Sequence, residues 1–340
     1  MKHLSAILLI FIFTTSNMNC VQPETKNKFV LVLQGGAGTI KKGIDPKREE
    51  AYKEKFKEAL EAGYQILKKG GSSVDAVENA LVILEDSPLF NAGKGSVFTS
   101  AGTNEMDAAI MEGKTLKAGA VCGVKTIRNP IRAARAVMAQ SPHVMLCGEG
   151  ADEFAKEQGL EIADSAYFHD DYRYQQWQKA KEKERQQLDH SEDEDGETPA
   201  DVKEEKHGTV GAVALDAAGN LAAATSTGGI TNKRYGRIGD SPLMGCGTYA
   251  DNESCAVSCT GHGEEFIRTV AAHSVCDLVK YKSYSVEKAA LEILNKVKTL
   301  GGDGGMIVLD RKGNFAMPFN TAAMIRGYVK EDGKAVVEIF

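Results

Sequence analysis

The sequence predicts an α+β fold in which two β-sheets lie face to face between helical layers, a four-layer αββα sandwich. Three observations lead there. A chain of 340 residues with 42% hydrophobic residues can bury a sizeable core. Short apolar runs of strand character follow one another, first joined to each other and then separated by helical segments. No internal repeat and no second domain boundary divides them, so a single structural domain is expected.

The elements follow in order. Phe29–Gln34, "FVLVLQ", is a β-branched apolar run that reads as a strand, and "GGAG" after it as a Gly-rich turn. From Pro46 to Lys69 the apolar residues Tyr52, Phe56, Leu60, Tyr64 and Leu67 recur at helical spacing, with Gly70-Gly71 as the stop. Ser72 or Ser73 caps a second helix, "VDAVENALVILED", which ends at Ser87-Pro88. "MDAAIMEG" and "AGAVCGV" read as strands around a Gly113 turn, "PIRAARAVMAQS" as a helix opened by Pro130, "HVMLCG" as a strand and "GADEFAKEQG" as a helix. From Asp170 to Lys206 the pattern fails: the tract is charged and nearly empty of apolar residues after Trp177, so a flexible tract is expected at 170–206, with room for a frayed helix at its start and disorder in its later half. Strands "TVGAVALD", "LAAATSTGG", "CAVSCTG", "GGMIVLD" and "FAMPFN" follow, with helices at "EEFIRTVAAHSVCDLVKY" and "SVEKAALEILNKVKTL".

A formal net charge of -6 argues against a nucleic-acid surface, which normally shows clustered Lys and Arg, and points to small-molecule or dipeptide partners. Residues 1–20 have the layout of a secretory signal peptide: a basic start, the apolar "LSAILLIFIF" and the polar "TTSNMNC". Ten apolar residues are too few to cross a bilayer, so no membrane span and an exported, periplasmic protein are expected. Cys20 stands where a lipid anchor would be attached, although Asn17-Met18-Asn19 before it lacks the small residues that such cleavage prefers, and an ordinary cut nearby is the plainer reading. The other cysteines fit no zinc spacing; Cys255 and Cys259, on one strand face, would lie roughly 13 Å apart, beyond disulfide reach, and read as small buried hydrophobes.

The charged tract ends abruptly at His207-Gly208-Thr209 and passes straight into an apolar strand. A threonine hydroxyl is a poor nucleophile that needs an adjacent base, and an α-amine with a pKa of about 8 can serve if the threonine is itself a chain terminus. A cut between Gly208 and Thr209 would therefore create a nucleophile carrying its own base. Gly-Thr alone is more often a turn feeding a strand, but "TSTGGITNKRYGRIGDSP" (225–242) and "CTGHGEEFIR" (259–268) stand beside it.

With these motifs the sequence resembles the plant-type asparaginase and isoaspartyl peptidase family of N-terminal-nucleophile hydrolases, from Phe29 to about Gly327. The resemblance implies an α chain over 21–208 and a β chain over 209–340, cut at the Gly208-Thr209 bond. It makes Thr209 the nucleophile, Thr227 the threonine that tunes it, Thr260 and the Gly261 amide the oxyanion hole, and Gly261 and Gly263 substrate contacts. Arg237 would clamp a substrate α-carboxylate and Asp240 its α-ammonium, in keeping with a guanidinium fork that grips carboxylates. From "LEDSPLFNAGKGSVFT" it implies an active-site Asn91 and a structural sodium held mainly by the backbone carbonyls of Leu84, Glu85, Ser87, Phe90, Ala92 and Lys94. No organic cofactor is implied, and the family assembles as a dimer of processed αβ units. Gln34 departs from the histidine that family members often carry before the Gly-rich turn.

Taken singly, each motif has an ordinary explanation: a strand threonine, a surface ion pair, a loop His262. "GGAG" with no Lys-Ser/Thr after it does not make a phosphate loop. Three functions remain open at this point. The first is an exported, autoprocessing hydrolase of isoaspartyl dipeptides and L-asparagine, the second a glycosylasparaginase-like hydrolase, and the third an uncleaved amino-acid-binding protein.

Overall fold

In the chain's first strand, β1 (Val30–Ala37), every residue is buried, and this sets the pattern for the sheets. The computed structural model describes residues 28–38, 43–191 and 208–340, without the side chains of 185–191. The expected signal segment with Cys20, the 192–206 part of the charged tract and His207 lie outside the described residues.

Helix α1 (Pro46–Lys68) starts with Pro46 in its first turn and the Asp45 carboxylate accepting from the Lys47 amide. It buries Tyr52, Phe56, Leu60, Tyr64 and Leu67, the stripe its spacing predicted. Ser72 rather than Ser73 caps α2 (Ser73–Glu85), its hydroxyl accepting from the Asp75 amide. Strands β2 (Met106–Glu112) and β3 (Ala118–Val124) pair antiparallel, and α3 (Pro130–Gln140), β4 (Met145–Cys147) and α4 (Gly148–Glu157) follow. After α5 (Asp171–Ser191) come β5 (Val210–Leu215), β6 (Leu221–Thr227), β7 (Thr248–Ala250) and β8 (Cys255–Gly261). The chain closes with α6 (Gly263–Thr269), α7 (Ala271–Lys282), α8 (Val286–Thr299), β9 (Gly304–Asp310), β10 (Phe315–Ala316), β11 (Met324–Lys330) and β12 (Val336–Glu338).

The strands form an eight-stranded sheet, ordered β12-β11-β1-β5-β6-β2-β3-β4, and a four-stranded sheet, ordered β10-β9-β8-β7. Side-chain alternation along each strand sorts the core into three apolar clusters. Leu31 and Leu33 of β1, Ala212 and Ala214 of β5, and Ala222 and Ala224 of β6 face α1, α2 and α3. The alternate residues Val30, Val32, Val213, Leu215 and Ala223 meet Ala256 of β8 and Ile307 and Leu309 of β9. On its other face the smaller sheet turns Cys255, Val257, Cys259, Met306 and Val308 toward α6, α7 and α8. The central strands are thus apolar on both faces because both faces are covered.

Several elements differ from expectation. The helix read over 264–281 is broken at Val270, which sits in the left-handed region (φ 48°, ψ 49°) between α6 and α7. That conformation costs a β-branched residue about 1–2 kcal/mol. It is offset by loop carbonyls that satisfy the first amides of α7, Ala272 N donating to Cys246 O and His273 N to Gly245 O. Strands β7, β11 and β12, which the sequence reading lacked, complete the sheets. Of "FAMPFN" only Phe315–Ala316 pairs as a strand; Pro318 has no N-H to offer a ladder.

The larger correction concerns the charged tract. Its first part, 171–191, is helix α5, and its opening turns are packed rather than flexible. Arg173 is buried, its Nε donating to Gly95 O (3.0 Å) and its Nη2 to Leu89 O (3.2 Å). Trp177 is buried against Gly102 and the Phe98 and Tyr174 rings. An apolar-pattern reading misses this helix because a buried cation met by carbonyls and a single indole anchor it. Replacing Trp177 with Ala is therefore expected to cost about 3 kcal/mol in a urea unfolding titration; a neutral result would return α5 to the flexible tract.

Candidate active site

Thr209, Thr227 and Thr260 come from three different places in the chain and meet at one end of the paired sheets. Thr209 immediately precedes β5, Thr227 ends β6, and Thr260 lies one residue from the end of β8. All three are buried and line one cleft together with Gly208, Gly229, Arg237, Asp240 and Gly261. The Thr209 hydroxyl donates to Thr227 Oγ1 at 3.1 Å, and Thr227 Oγ1 also accepts the Gly229 amide at 3.0 Å. An oxygen that already receives an N-H and an O-H is left with little capacity to move, so Thr227 fixes the direction of the Thr209 hydroxyl. Thr260 Oγ1 accepts the Ala37 amide at 3.3 Å.

The backbone before Thr209 is placed by a glycine crossing. A β-carbon on Gly36 would lie 2.2 Å from the Gly208 Cα, and one on Gly208 would lie 2.2 Å from the Gly36 Cα. Gly36 also has φ 106°, which disfavours any other residue. Gln34, the departure noted in the sequence, is fully buried and organises this crossing. Its Oε1 accepts the Gly36 amide at 2.8 Å, and its Nε2 reaches Cys259 O at 3.5 Å, the residue before Thr260. The glutamine thus joins the turn under Gly208 to the strand that carries Thr260.

Arg237 and Asp240 lie on the same cleft wall. The sequence reading missed the partner of Arg237: Glu264, whose Oε1 accepts from Nε (2.9 Å) and whose Oε2 accepts from Nη2 (2.8 Å). Its hydrogen bonds to Arg237 hold the Glu264 carboxyl below the usual range. The guanidinium edge that remains, bearing Nη1, lies against glycine backbone on the cleft wall. A β-carbon on Gly239 would come within 2.9 Å of Nη1, and one on Gly263 within 2.8 Å of Nη2. Asp240 is buried, and its Oδ2 has no hydrogen-bond partner among the described residues. Burial raises its pKa to about 6, against which nearby Arg237 pulls only in part. A buried carboxylate oxygen without a donor, beside a guanidinium, has the chemistry to pair with an ammonium and a carboxylate on one ligand.

The other expected site residues sit one step back. Asn91 is buried and does not line the cleft; its Nδ2 donates to Gly229 O (2.7 Å) and its Oδ1 accepts the Val97 amide (3.0 Å), holding the turn that bonds Thr227. In the loop around it Gly93 and Gly95 are folded tightly onto backbone oxygens, a β-carbon on them falling 2.5 Å from Glu85 O and 2.0 Å from Phe90 O. His262 lines the cleft, but its Nδ1 lies 3.6 Å from the Asp303 carboxylate. Two further residues escaped the sequence reading. Lys233, buried behind Gly229, donates to Glu105 O at 2.9 Å, and burial lowers its pKa. Glu184 of α5 reaches across to Arg234 (2.6 Å) and to Asn232 Nδ2 (2.9 Å), bracing the loop that leads to Arg237. Glu264 stood inside a quoted motif and could have been suspected; Glu184, in a run of charges, carried no such signal.

The family described as Asparaginase matches residues 27–339. The chain is 50% identical over 303 residues to the isoaspartyl peptidase of Escherichia coli (strain K12), covering 88% of this chain and 92% of that one. It is 43% identical over 302 residues to the isoaspartyl peptidase/L-asparaginase of Rattus norvegicus, covering 88% of this chain and 86% of that one.

The glycine crossing can be tested directly. Gly36→Ala places a methyl group into the Gly208 backbone at a positive φ, so a loss of about 2 kcal/mol or more is expected from chemical denaturation. Unchanged stability would mean that the two segments do not cross as described.

Proposed function

The chain belongs to the asparaginase family, and from that premise we propose that it is an autoprocessing threonine amidohydrolase, cut between Gly208 and Thr209, that hydrolyses isoaspartyl dipeptides and L-asparagine. It is an enzyme of the isoaspartyl peptidase/L-asparaginase type. The observation that carries the fuller reading is the Thr209-Thr227 hydrogen bond in one cleft with the open edge of Arg237 and the unpartnered oxygen of Asp240. Both substrate classes have a free aspartyl α-carboxylate and α-ammonium, and both present a side-chain amide. The two sheets and their flanking helices are read as the αββα sandwich of N-terminal-nucleophile hydrolases.

Chain cleavage comes first in this mechanism. Thr209 Oγ attacks the Gly208 carbonyl, the peptide bond becomes an ester, and water releases the Gly208 carboxylate. The Thr209 nitrogen becomes an amine with a pKa of about 8, able to take the proton of its own hydroxyl. In turnover the substrate carboxylate takes the open edge of Arg237 and the ammonium pairs with Asp240. Thr209 Oγ then adds to the side-chain amide carbonyl, and the Thr260 hydroxyl with the Gly261 amide receives the oxyanion. The amine leaves as ammonia or an amino acid, taking the proton held by the Thr209 amine. Water, deprotonated by the same amine, hydrolyses the acyl-enzyme and releases aspartate.

The family resemblance implies a structural sodium ion in the loop of Leu84–Lys94. The carbonyls of Leu84, Glu85, Ser87, Phe90, Ala92 and Lys94 would hold it, and oxygen donors without side-chain ligands suit a hard cation. The ion would stiffen the loop carrying Asn91; no chemical step passes through it. Among the described residues no His, Cys, Asp or Glu cluster offers another metal site. Export to the periplasm is supported by the layout of residues 1–20 and assembly as a dimer of αβ units by the family resemblance. Among the described residues no helix is long and apolar enough to cross a membrane.

Two measurements test this reading. Intact mass of the matured protein is expected to show two chains meeting at Gly208-Thr209, whereas Thr209→Ala stays one chain and has no turnover; an active Thr209→Ala protein would refute the assignment, and an uncut wild type would favour the binding-protein alternative. The second is pH dependence. Asp240 must be ionised to receive the ammonium, and its raised pKa of about 6 leaves it increasingly protonated below that pH. The kcat/KM profile is therefore expected to fall on the acid side with a midpoint near 6, and Asp240→Asn to lower kcat/KM at least a hundredfold and remove that limb. The same limb persisting in Asp240→Asn would assign it elsewhere.

A further inference from the structure

We infer that Cys255 and Cys276 form a disulfide that fastens helix α7 to the start of strand β8. Their Sγ atoms lie 3.1 Å apart, about 1 Å beyond a covalent S-S bond. Both residues are buried, and the Cys276 thiol also donates to Cys255 O at 3.3 Å, so the side chains already point at each other from two packed elements. Cys255 faces the helices in the same row as Val257 and Cys259, and Cys276 belongs to the same apolar cluster. Cys259 lies on that row four residues along, out of reach of Cys255 by strand geometry. The pairing is therefore across the helix-sheet interface rather than along the strand.

The chemistry requires an oxidant, which a low-molecular-weight or protein disulfide supplies. One thiolate attacks that disulfide and expels a thiolate from it; the second thiolate attacks the mixed disulfide and expels the other. Two protons leave the cysteines, the S-S bond forms, and the incoming disulfide is reduced to two thiols. Burial holds the Cys276 thiol well above its ordinary range and shields it, so the exchange belongs to folding, before α7 docks on β8. Once closed, the bond restricts the unfolded chain across the segment that contains α6 and Glu264. It lies at the opposite end of β8 from Thr260 and Gly261, so it stabilises the strand without entering the cleft.

The test uses the full chain, denatured and reduced in urea, then refolded by dilution with a glutathione redox buffer. Free thiols are alkylated under denaturing conditions and the protein is digested without reductant. A cross-linked peptide pair containing Cys255 and Cys276, lighter by two hydrogens than the sum of the reduced peptides, is expected. The oxidised protein should melt several degrees above the reduced one, a difference lost in Cys276→Ala and kept in Cys259→Ala. Recovery of Cys255 or Cys276 as an alkylated thiol in the refolded fraction, or joined to another cysteine, would overturn the inference. The peptide map needs no variant, and it does not depend on the function proposed for the cleft.

Discussion

Where two sheets pack face to face, side chains between them have no access to water, and any polar atom placed there must find its partner within the protein. Strand β5 runs through the middle of this arrangement with every residue buried. The hydroxyls that do enter the interface pair with one another: Thr225 Oγ1 lies 2.7 Å from Ser258 Oγ and accepts from Thr248 at 2.6 Å. Gly211, opposite Gln34 in the register, keeps this space open, since a β-carbon there would fall 2.0 Å from Ser258 Oγ. The small hydroxyls of the interior thus satisfy one another, with the neutral amide of Gln34 beside them. Charged groups and groups that must meet a ligand are confined to the strand ends, which is where Thr209, Thr227 and Thr260 stand.

The strand ends are held by backbone as much as by side chains. Gly208 can approach Gly36 only because neither has a β-carbon, and Gln34 locks the approach by serving a donor on one side and an acceptor on the other. A neutral amide does this at every pH at which the protein is folded, whereas an imidazole in the same place would change its donor pattern on protonation. The clamp follows a different logic. Arg237 and Glu264 neutralise one another through a bidentate pair, while burial, which Arg237 offsets only in part, raises the Asp240 pKa to about 6. A ligand bearing both a carboxylate and an ammonium adds one charge of each sign and satisfies both sites at once. An isolated acid would leave the buried Asp240 Oδ2 still without a hydrogen-bond partner.

These differences in physical origin explain what the sequence disclosed. Period and capping revealed β1, α1, α2 and, after Thr209, β5, β6, β8 and β9, because burial on one or both faces writes directly into residue type. The three threonines and Arg237 with Asp240 were singled out through the family resemblance, and the structure brings all five to one cleft. Pattern reading failed where tertiary contacts overrode local preference. Val270 breaks a continuous helical run because loop carbonyls cap the second half, and α5 is held by Arg173, a residue that composition assigns to solvent. Glu264 stood in a quoted motif, but its pairing was not readable there, because an acid after "HG" says nothing about its partner until the fold brings Arg237 to it. The contact between Cys255 and Cys276, 21 residues apart, likewise needed the packing of a helix on a sheet.

Helix α5 also changes how maturation should be viewed. If the chain is cut at Gly208, the new end would be free only back to the last anchored turn of the preceding segment. Arg173 and Trp177 tie the helix to the Leu89–Gly102 loop, and Glu184 ties it to Asn232 and Arg234 on the loop leading to the clamp. The Glu184 contacts join a residue before the cut to residues after it and do not use the Gly208-Thr209 peptide bond. Cleavage would therefore release Thr209 as a terminus without releasing the brace on the substrate loop. An exposed ion pair such as Glu184-Arg234 contributes at most about 1 kcal/mol by itself. Its value here is geometric: it acts on a loop that the Asn91 bonds to Gly229 and Val97 already hold from the other side.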